Sequence, residues 1–196
     1  MDSRVTEFQC IMPMANIPSV LKLGVLSNER AAKLKHHSVA MPEMQDKRDV
    51  KQVPGGLKLH QYANLYFHAR NPMMSKRRDE ALELCVLRIS AKVLELPGVV
   101  LADRNAAGGD NWVRFLHPRQ WELLDFDRIY ARDWTHPDRF EYFDRKRKKC
   151  AEVLVPHCVE PRFITGAYVV DSGAAERLAA AGFTLAITVD SDMFFR

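Results

Sequence analysis

The chain has 196 residues, 47% of them hydrophobic, with a formal net charge of +4. That length suits one domain, or one domain with long functional loops, and leaves ample apolar material for a single core. The charge suits a polyanionic partner without requiring one, the opening MDSRVTEFQC has no positive start followed by an apolar run, and no stretch reaches the length of a membrane helix. The four cysteines, Cys10, Cys85, Cys150 and Cys158, show no CxxC spacing. Free thiols in a reducing compartment are therefore expected, with a cytoplasmic location and no membrane association.

Residues 6–14 read as a first strand. A compact helix follows, with Asn16 as its cap, Pro18 in its first turn, Val20 and Leu21 facing inward, and Gly24 ending it. A second helix is expected from Asn28 to about Lys35. Residues 36–59 are polar and broken by Pro42 and Pro54, with Gly55–Gly56 as a hinge-like pair. This is long for a connection, and two readings stand: a solvated insertion, or a loop that covers a site and lets Arg48 reach a phosphate. His60–Phe67 is a strand with inward aromatics, turned by Arg70-Asn71-Pro72. Ser75 is read as capping a segment that opens on Lys76, Arg77 and Arg78. Cations at a helix start oppose its dipole, so an external phosphate is the suggested reason for them.

Residues 82–90 form a strand, AKVLELPG a short helix and residues 99–103 another strand. A loop over 104–111 precedes a short helix containing Trp112, Val113 and Phe115. In residues 117–149 Trp121, Leu123, Leu124, Phe126, Ile129 and Tyr130 can bury one side, and the segment ends in the basic run Arg145 to Lys149. AEVLVP and RFITGAYVV are strands, a helix capped by Asp171 or Ser172 ends at Gly182, and TLAITVD is the last strand. Many short strands with few short helices indicate an α+β fold and exclude a doubly wound sheet.

Glu152 opens a strand, where an isolated glutamate is ordinarily an exposed residue or an ion-pair partner. Its company points further: an amide- and arginine-rich strand end, an arginine-bearing loop and a basic approach surface. The histidines show neither HExxH nor HxH, no serine elbow is present, and Asp125 with Asp127 lacks a third carboxylate. No metal is expected.

Taken together, these blocks resemble the DarT family of DNA ADP-ribosyltransferase toxins. They are Asn16-Ile-Pro-Ser-Val-Leu with Gly24, Met44-Gln-Asp-Lys-Arg48 with Val53-Pro-Gly-Gly, HQYANLYFHARNPMM from His60, LCVLRIS, VLELPGVVLADRNAA and AEVLVPHCVEPRFI. They run in family order over nearly the whole chain. The resemblance implies an ADP-ribosyltransferase fold of two small, mostly antiparallel sheets around an NAD cleft, with peripheral helices. It implies transfer of ADP-ribose from NAD+ to a base of single-stranded DNA, thymine favoured, with guanine or RNA as alternatives. A catalytically weak nucleic-acid-binding domain that keeps the fold is the non-enzymatic alternative. The implied antitoxin partner is a DarG-like macrodomain.

Carried onto this sequence, the resemblance makes Glu152 and Arg48 the catalytic pair. It assigns Gln9, Asn16, Tyr62, Leu65 and Arg70 to the NAD pocket. Lys76, Arg77, Arg78, Arg145, Arg147 and Lys148 become the nucleic-acid contacts. One departure stands out: members commonly carry histidine in the first strand, where this chain has Gln9-Cys10-Ile11-Met12-Pro13. Gln9, Cys10 or a backbone group is then expected to substitute.

Overall fold

The structure, a computed structural model, describes residues 2–108 and 113–195. In chain order its elements are β1 (Glu7–Pro13), α1 (Ile17–Leu23), β2 (Val25–Leu26), α2 (Asn28–Ala31), α3 (Pro42–Asp49), β3 (Tyr62–Tyr66) and α4 (Pro72–Lys76). They continue with β4 (Leu84–Ser90), β5 (Val100–Ala102), β6 (Phe115–Leu116), α5 (Phe126–Tyr130), α6 (Arg139–Lys148), β7 (Glu152–Pro156) and β8 (Cys158–Val159). The last are β9 (Ile164–Val169), α7 (Ser172–Ala180) and β10 (Ala186–Val189). Among the described residues the strands make one eight-stranded sheet, ordered β10-β9-β4-β1-β3-β7-β5-β6, and a separate two-stranded ribbon, β2-β8. The α+β class holds, but the two sheets are very unequal.

Neighbours in the large sheet are antiparallel except β9 and β10. Those two are parallel because α7 carries the chain back over the sheet between them. The central strands read Val86-Leu87, Ala63 and Leu65, and Val153 to Val155, all sealed in the core. Phe8, Phe67 and Phe126 meet edge-on at 5.2 and 5.9 Å and pack α5 against that core. The ribbon lies close to α1 because Gly24, at φ +81°, brings its backbone against the Val159 carbonyl, where any Cβ would collide. Gly24 thus ends the helix, as expected, and also admits the ribbon.

Several local expectations change. Residues 36–59 contain a two-turn helix, α3, with Pro42 at its start. Gly55–Gly56 closes a tight turn packed on Tyr62: the Leu57 amide donates to the Tyr62 hydroxyl at 3.1 Å, and a Cβ on Gly56 would lie 2.7 Å from that oxygen. α2 ends at Ala31, well short of Lys35. The cap of α4 is Asn71, whose side-chain Oδ1 accepts from the Met73 and Met74 amides, and Ser75 lies inside the helix. Lys76 therefore sits in the last turn, where a cation suits the dipole, which removes the electrostatic conflict expected there. Asp171 caps α7 through the Ala174 amide at 2.8 Å. The helix expected around Trp112 falls partly outside the described residues, and Phe115 begins β6.

Candidate active site

Strand alternation builds the floor of the site. On β3, Tyr62, Asn64 and Tyr66 point to one face and Ala63 and Leu65 to the other. Tyr66 lies directly across from Glu152 of β7, which in turn faces Ala102 of β5. Glu152 is therefore held between two strands of a sheet interior and is only 1% exposed. The cleft above this floor has a volume of about 530 Å³, within the range of small-molecule sites. Its lining also includes residues 34–41 with α3, and Trp134, Tyr142 and Lys146.

The Glu152 carboxylate has two partners. Nη1 of Arg48 donates to Oε2 at 3.0 Å and to Oε1 at 3.3 Å, and the Ala106 amide donates to Oε1 at 3.1 Å. Arg48 comes from the last turn of α3 and is itself 7% exposed. Its Nη2 is buried and has no hydrogen-bond partner among the described residues. An orphaned guanidinium nitrogen is costly in a protein interior, and Arg48 is one of the residues lining the cleft. Ala106 is presented by a turn that Asn105 closes onto the Ala107 amide at 2.9 Å. Behind it, Asp103 accepts from Arg104 and Arg114. Burial raises the Asp103 pKa, but those hydrogen bonds outweigh it and hold the carboxyl below its ordinary value.

The neighbouring groups are kept neutral. Burial, and secondarily the Glu152 charge, hold the Tyr66 phenol well above its ordinary pKa. Burial also pushes the Cys10 and Cys150 thiols up to about 12. Both cysteines line the cleft as thiols, so a thiolate nucleophile has no place there. Among the described residues no group of three or more His, Cys, Asp or Glu side chains is arranged to hold a metal. No described helix is long and apolar enough to cross a membrane.

The sequence-derived residues separate into two sets. Arg48, Glu152, Tyr62, Asn16, Lys76 and Cys10 line the cleft. Asn16 is already occupied: it donates to the His37 carbonyl at 2.7 Å and accepts from the His37 amide at 3.0 Å, so it fastens the 34–41 wall. Gln9, Leu65 and Arg70 do not line the cleft. Gln9 ties β1 to the Ala69 amide at 2.7 Å, Leu65 faces the core, and Arg70 lies over the Phe195 ring at 4.1 Å beside Asp192. Of the two first-strand candidates, Cys10 reaches the cleft and Gln9 does not.

The basic residues divide in the same way. Arg77 donates to the Val39 carbonyl at 3.0 Å and pairs with Glu80, so it too supports the cleft wall. Arg78 is exposed beside Asp79. Arg145 pairs with Glu141, and Lys148 with Asp125 and Asp144. The Arg147 carbonyl accepts from the Asn105 amide at 3.1 Å. Lys149, last of the basic run, is 1% exposed and donates to His68 and to the Ile129 carbonyl. Lys146, the remaining member, reaches the cleft with its ammonium 5.5 Å from the Tyr142 ring centre. The sequence names Lys146 only as part of the basic run and Asn64 only as part of the β3 strand. Period-two alternation along β3 places Asn64 with Tyr62 and Tyr66, while nothing local marks the Ala106 amide.

A family model for DarT, described as an ssDNA thymidine ADP-ribosyltransferase, matches residues 10–195. A DNA ADP-ribosyl transferase–DNA ADP-ribosyl glycohydrolase fusion protein of Thermosipho africanus is 30% identical over 190 residues, covering 91% of this chain and 46% of the relative. A DNA ADP-ribosyl transferase of Thermus sp. is 30% identical over 153 residues, covering 71% of this chain and 69% of that protein. The fold superimposes on Thermosipho africanus DarTG in complex with ADP-ribose at TM-score 0.82, with 26% identity over 96% of this chain and 51% of that one. It superimposes equally well, at 0.82, on Thermus sp. DarT in complex with ADP-ribosylated ssDNA, at 23% identity and 97% coverage of both chains. The chain thus spans about half the length of the Thermosipho relative.

Proposed function

The chain belongs to the DarT family, and from that membership we propose that it transfers ADP-ribose from NAD+ to a thymine base of single-stranded DNA, releasing nicotinamide. The observation that carries this reading is the buried Glu152 carboxylate, held by Arg48 and the Ala106 amide at the floor of an open cleft. A purely structural ion pair gains nothing from leaving one guanidinium nitrogen buried and unpaired, as Arg48 does. The description of the matching family favours thymine over guanine as the acceptor.

The cleft suits such a substrate on its own terms. It has the volume for a nucleotide, an unpartnered guanidinium nitrogen and a protonated phenol beside the carboxylate. NAD+ supplies the reactive centre, the ribose carbon bonded to nicotinamide. Glu152 orients the ribose hydroxyls next to that carbon and accepts the proton from the attacking ring nitrogen of the base. The carbon–nitrogen bond to the base forms, the bond to nicotinamide breaks, and nicotinamide leaves with the electron pair. Arg48 holds the Glu152 carboxylate in place through Nη1, and its charge favours the negative charge that develops on the base. Lys76 and Lys146, at the cleft margin, serve the DNA backbone with salt-sensitive, sequence-independent affinity. Residues 36–59 act as the substrate-covering segment of a single transferase domain, with Asn16 and Arg77 as its anchors.

The antitoxin of such a protein is a DarG-like macrodomain, a reading supported by the glycohydrolase fused to the Thermosipho relative. The reaction belongs in the cytoplasm, where NAD+ and single-stranded DNA are both present. Mass spectrometry of a thymine-containing oligonucleotide after incubation with NAD+ tests the activity. The expected product carries one added ADP-ribose, and an otherwise identical oligonucleotide without thymine stays unmodified. An unmodified thymine oligonucleotide would overturn the reading.

A further inference from the structure

An asparagine is out of place where Asn64 stands. β3 lies near the middle of the eight-stranded sheet, between β1 and β7, and Asn64 is paired across from Leu154. Asparagine is disfavoured in strands, and a carboxamide withdrawn from water needs partners for one acceptor and two donors. Asn64 has no side-chain hydrogen bond among the described residues, yet it is half-buried on the cleft floor.

The other amides around the cleft show what a structural role looks like. Asn16 uses both ends of its amide on the His37 backbone. Asn28 donates to Gln45 at 3.0 Å, and Asn105 accepts from the Ala107 amide. Just outside the cleft, Gln9 and Asn71 are likewise committed at both ends. Asn64 is the cleft-lining amide left over, and it lies on the same face as the reactive carboxylate. Its neighbour two positions along, Tyr66, stands directly across from Glu152. That separation is about 7 Å along the strand, roughly the width of a ribose or a pyrimidine.

We propose that Asn64 is a substrate-positioning residue whose carboxamide N–H groups donate to a carbonyl oxygen of the substrate. Two components of the proposed reaction carry such an oxygen: the carboxamide of the nicotinamide ring, and the target thymine, whose carbonyls flank the attacking ring nitrogen and leave its proton to Glu152. The inference rests on the transferase reading above and specifies one residue within the same site. A purely structural asparagine is the competing account, and it differs in one measurable way. Removing an amide that bonds to nothing in the protein leaves stability intact, whereas removing a structural one does not.

The test uses the full chain with Asn64→Ala and Asn64→Asp, thermal denaturation of each, and calorimetric binding of NAD+ and of ADP-ribose, which lacks nicotinamide. Transfer kinetics on a single-stranded thymine oligonucleotide complete the set. Melting temperature should stay at the wild-type value for Asn64→Ala. If the partner is nicotinamide, the NAD+ Kd rises about tenfold while the ADP-ribose Kd is unchanged. If the partner is the base, NAD+ binding is unchanged and the KM for the oligonucleotide rises by about the same factor. Asn64→Asp should show the same loss, because it removes the donors. Unchanged NAD+ binding together with unchanged oligonucleotide kinetics overturns the proposal, as does a fall in melting temperature that accompanies the loss. Wild-type protein that binds NAD+ but modifies no oligonucleotide defeats the thymine acceptor and not Asn64, which the NAD+ and ADP-ribose comparison then decides.

Discussion

Two buried carboxylates lie near one another where β5 pairs with β7, and they are finished differently. Asp103, just past β5, accepts two hydrogen bonds from Arg104 and two from Arg114, counting the Arg114 backbone amide. Glu152, across from Ala102, has one arginine nitrogen and one backbone amide, and the arginine keeps a second nitrogen unpaired. Asp103 is a closed knot that shapes a loop. Glu152 is held in position by a guanidinium that is not itself fully partnered. Burial and an arginine partner are common to both, so neither property separates them. The unpaired Arg48 nitrogen does, because folding alone removes such costs wherever it can.

Exchanging the two acids' side chains for neutral ones should separate these roles. Glu152→Gln keeps the shape and can still accept from Arg48 and Ala106. It should reduce transfer to DNA by about 10³-fold, the scale of a lost general base, with little change in melting temperature. A quantitative transfer assay on the folded variant checks this, and residual activity within tenfold of wild type would remove Glu152 from the chemistry. Asp103→Ala should act on stability, costing about 3 kcal/mol through the cations it leaves behind. For a chain of this length that corresponds to a drop of roughly 6–12 °C. If transfer is lost while the melting temperature holds, the distinction between the two acids fails.

A smaller effect comes from the other buried polar knot, His68 with Lys149. Burial first, then the Lys149 and Arg70 charges, bring the His68 pKa down to about 4. The unfolded chain, with an ordinary value near 6.5, therefore binds more protons than the native one between pH 6.5 and 4. Stability is fully present above that window and falls as pH drops through it, by about 3 kcal/mol in total. Chemical denaturation across this range should show the slope in wild type and a flatter line in His68→Gln. Lys149 has its pKa lowered to about 8 by burial, so the same sign rule gives a further gain in stability as pH rises from about 8 toward 10.5.

The basic segments show why charge runs read poorly from sequence. Lys76 to Arg78 and Arg145 to Lys149 look like two uniform phosphate-binding stretches. In the fold Arg77 is spent on the 34–41 wall, Lys148 on Asp125 and Asp144, and Lys149 on the core, while Lys146 is turned to the cleft. One residue of offset on α6 rotates a side chain by 100°, and only the packing of that helix fixes the phase.

Local rules settle the elements themselves. Alternating apolar residues made β1, β3, β4 and β7 visible, and proline and glycine positions marked α1 and the end of α7, because these depend on neighbours in sequence. The motif blocks were enough to single out Arg48 and Glu152. The chain alone does not state that Arg48 and Glu152, 104 positions apart, share a hydrogen bond, or that Ala106 completes it. Nor does it state that Gln9, Leu65 and Arg70 turn away from the cleft. Those facts depend on strand order and on which face of each element meets another. Long-range packing decides them, because only there does each polar group find, or fail to find, its partner.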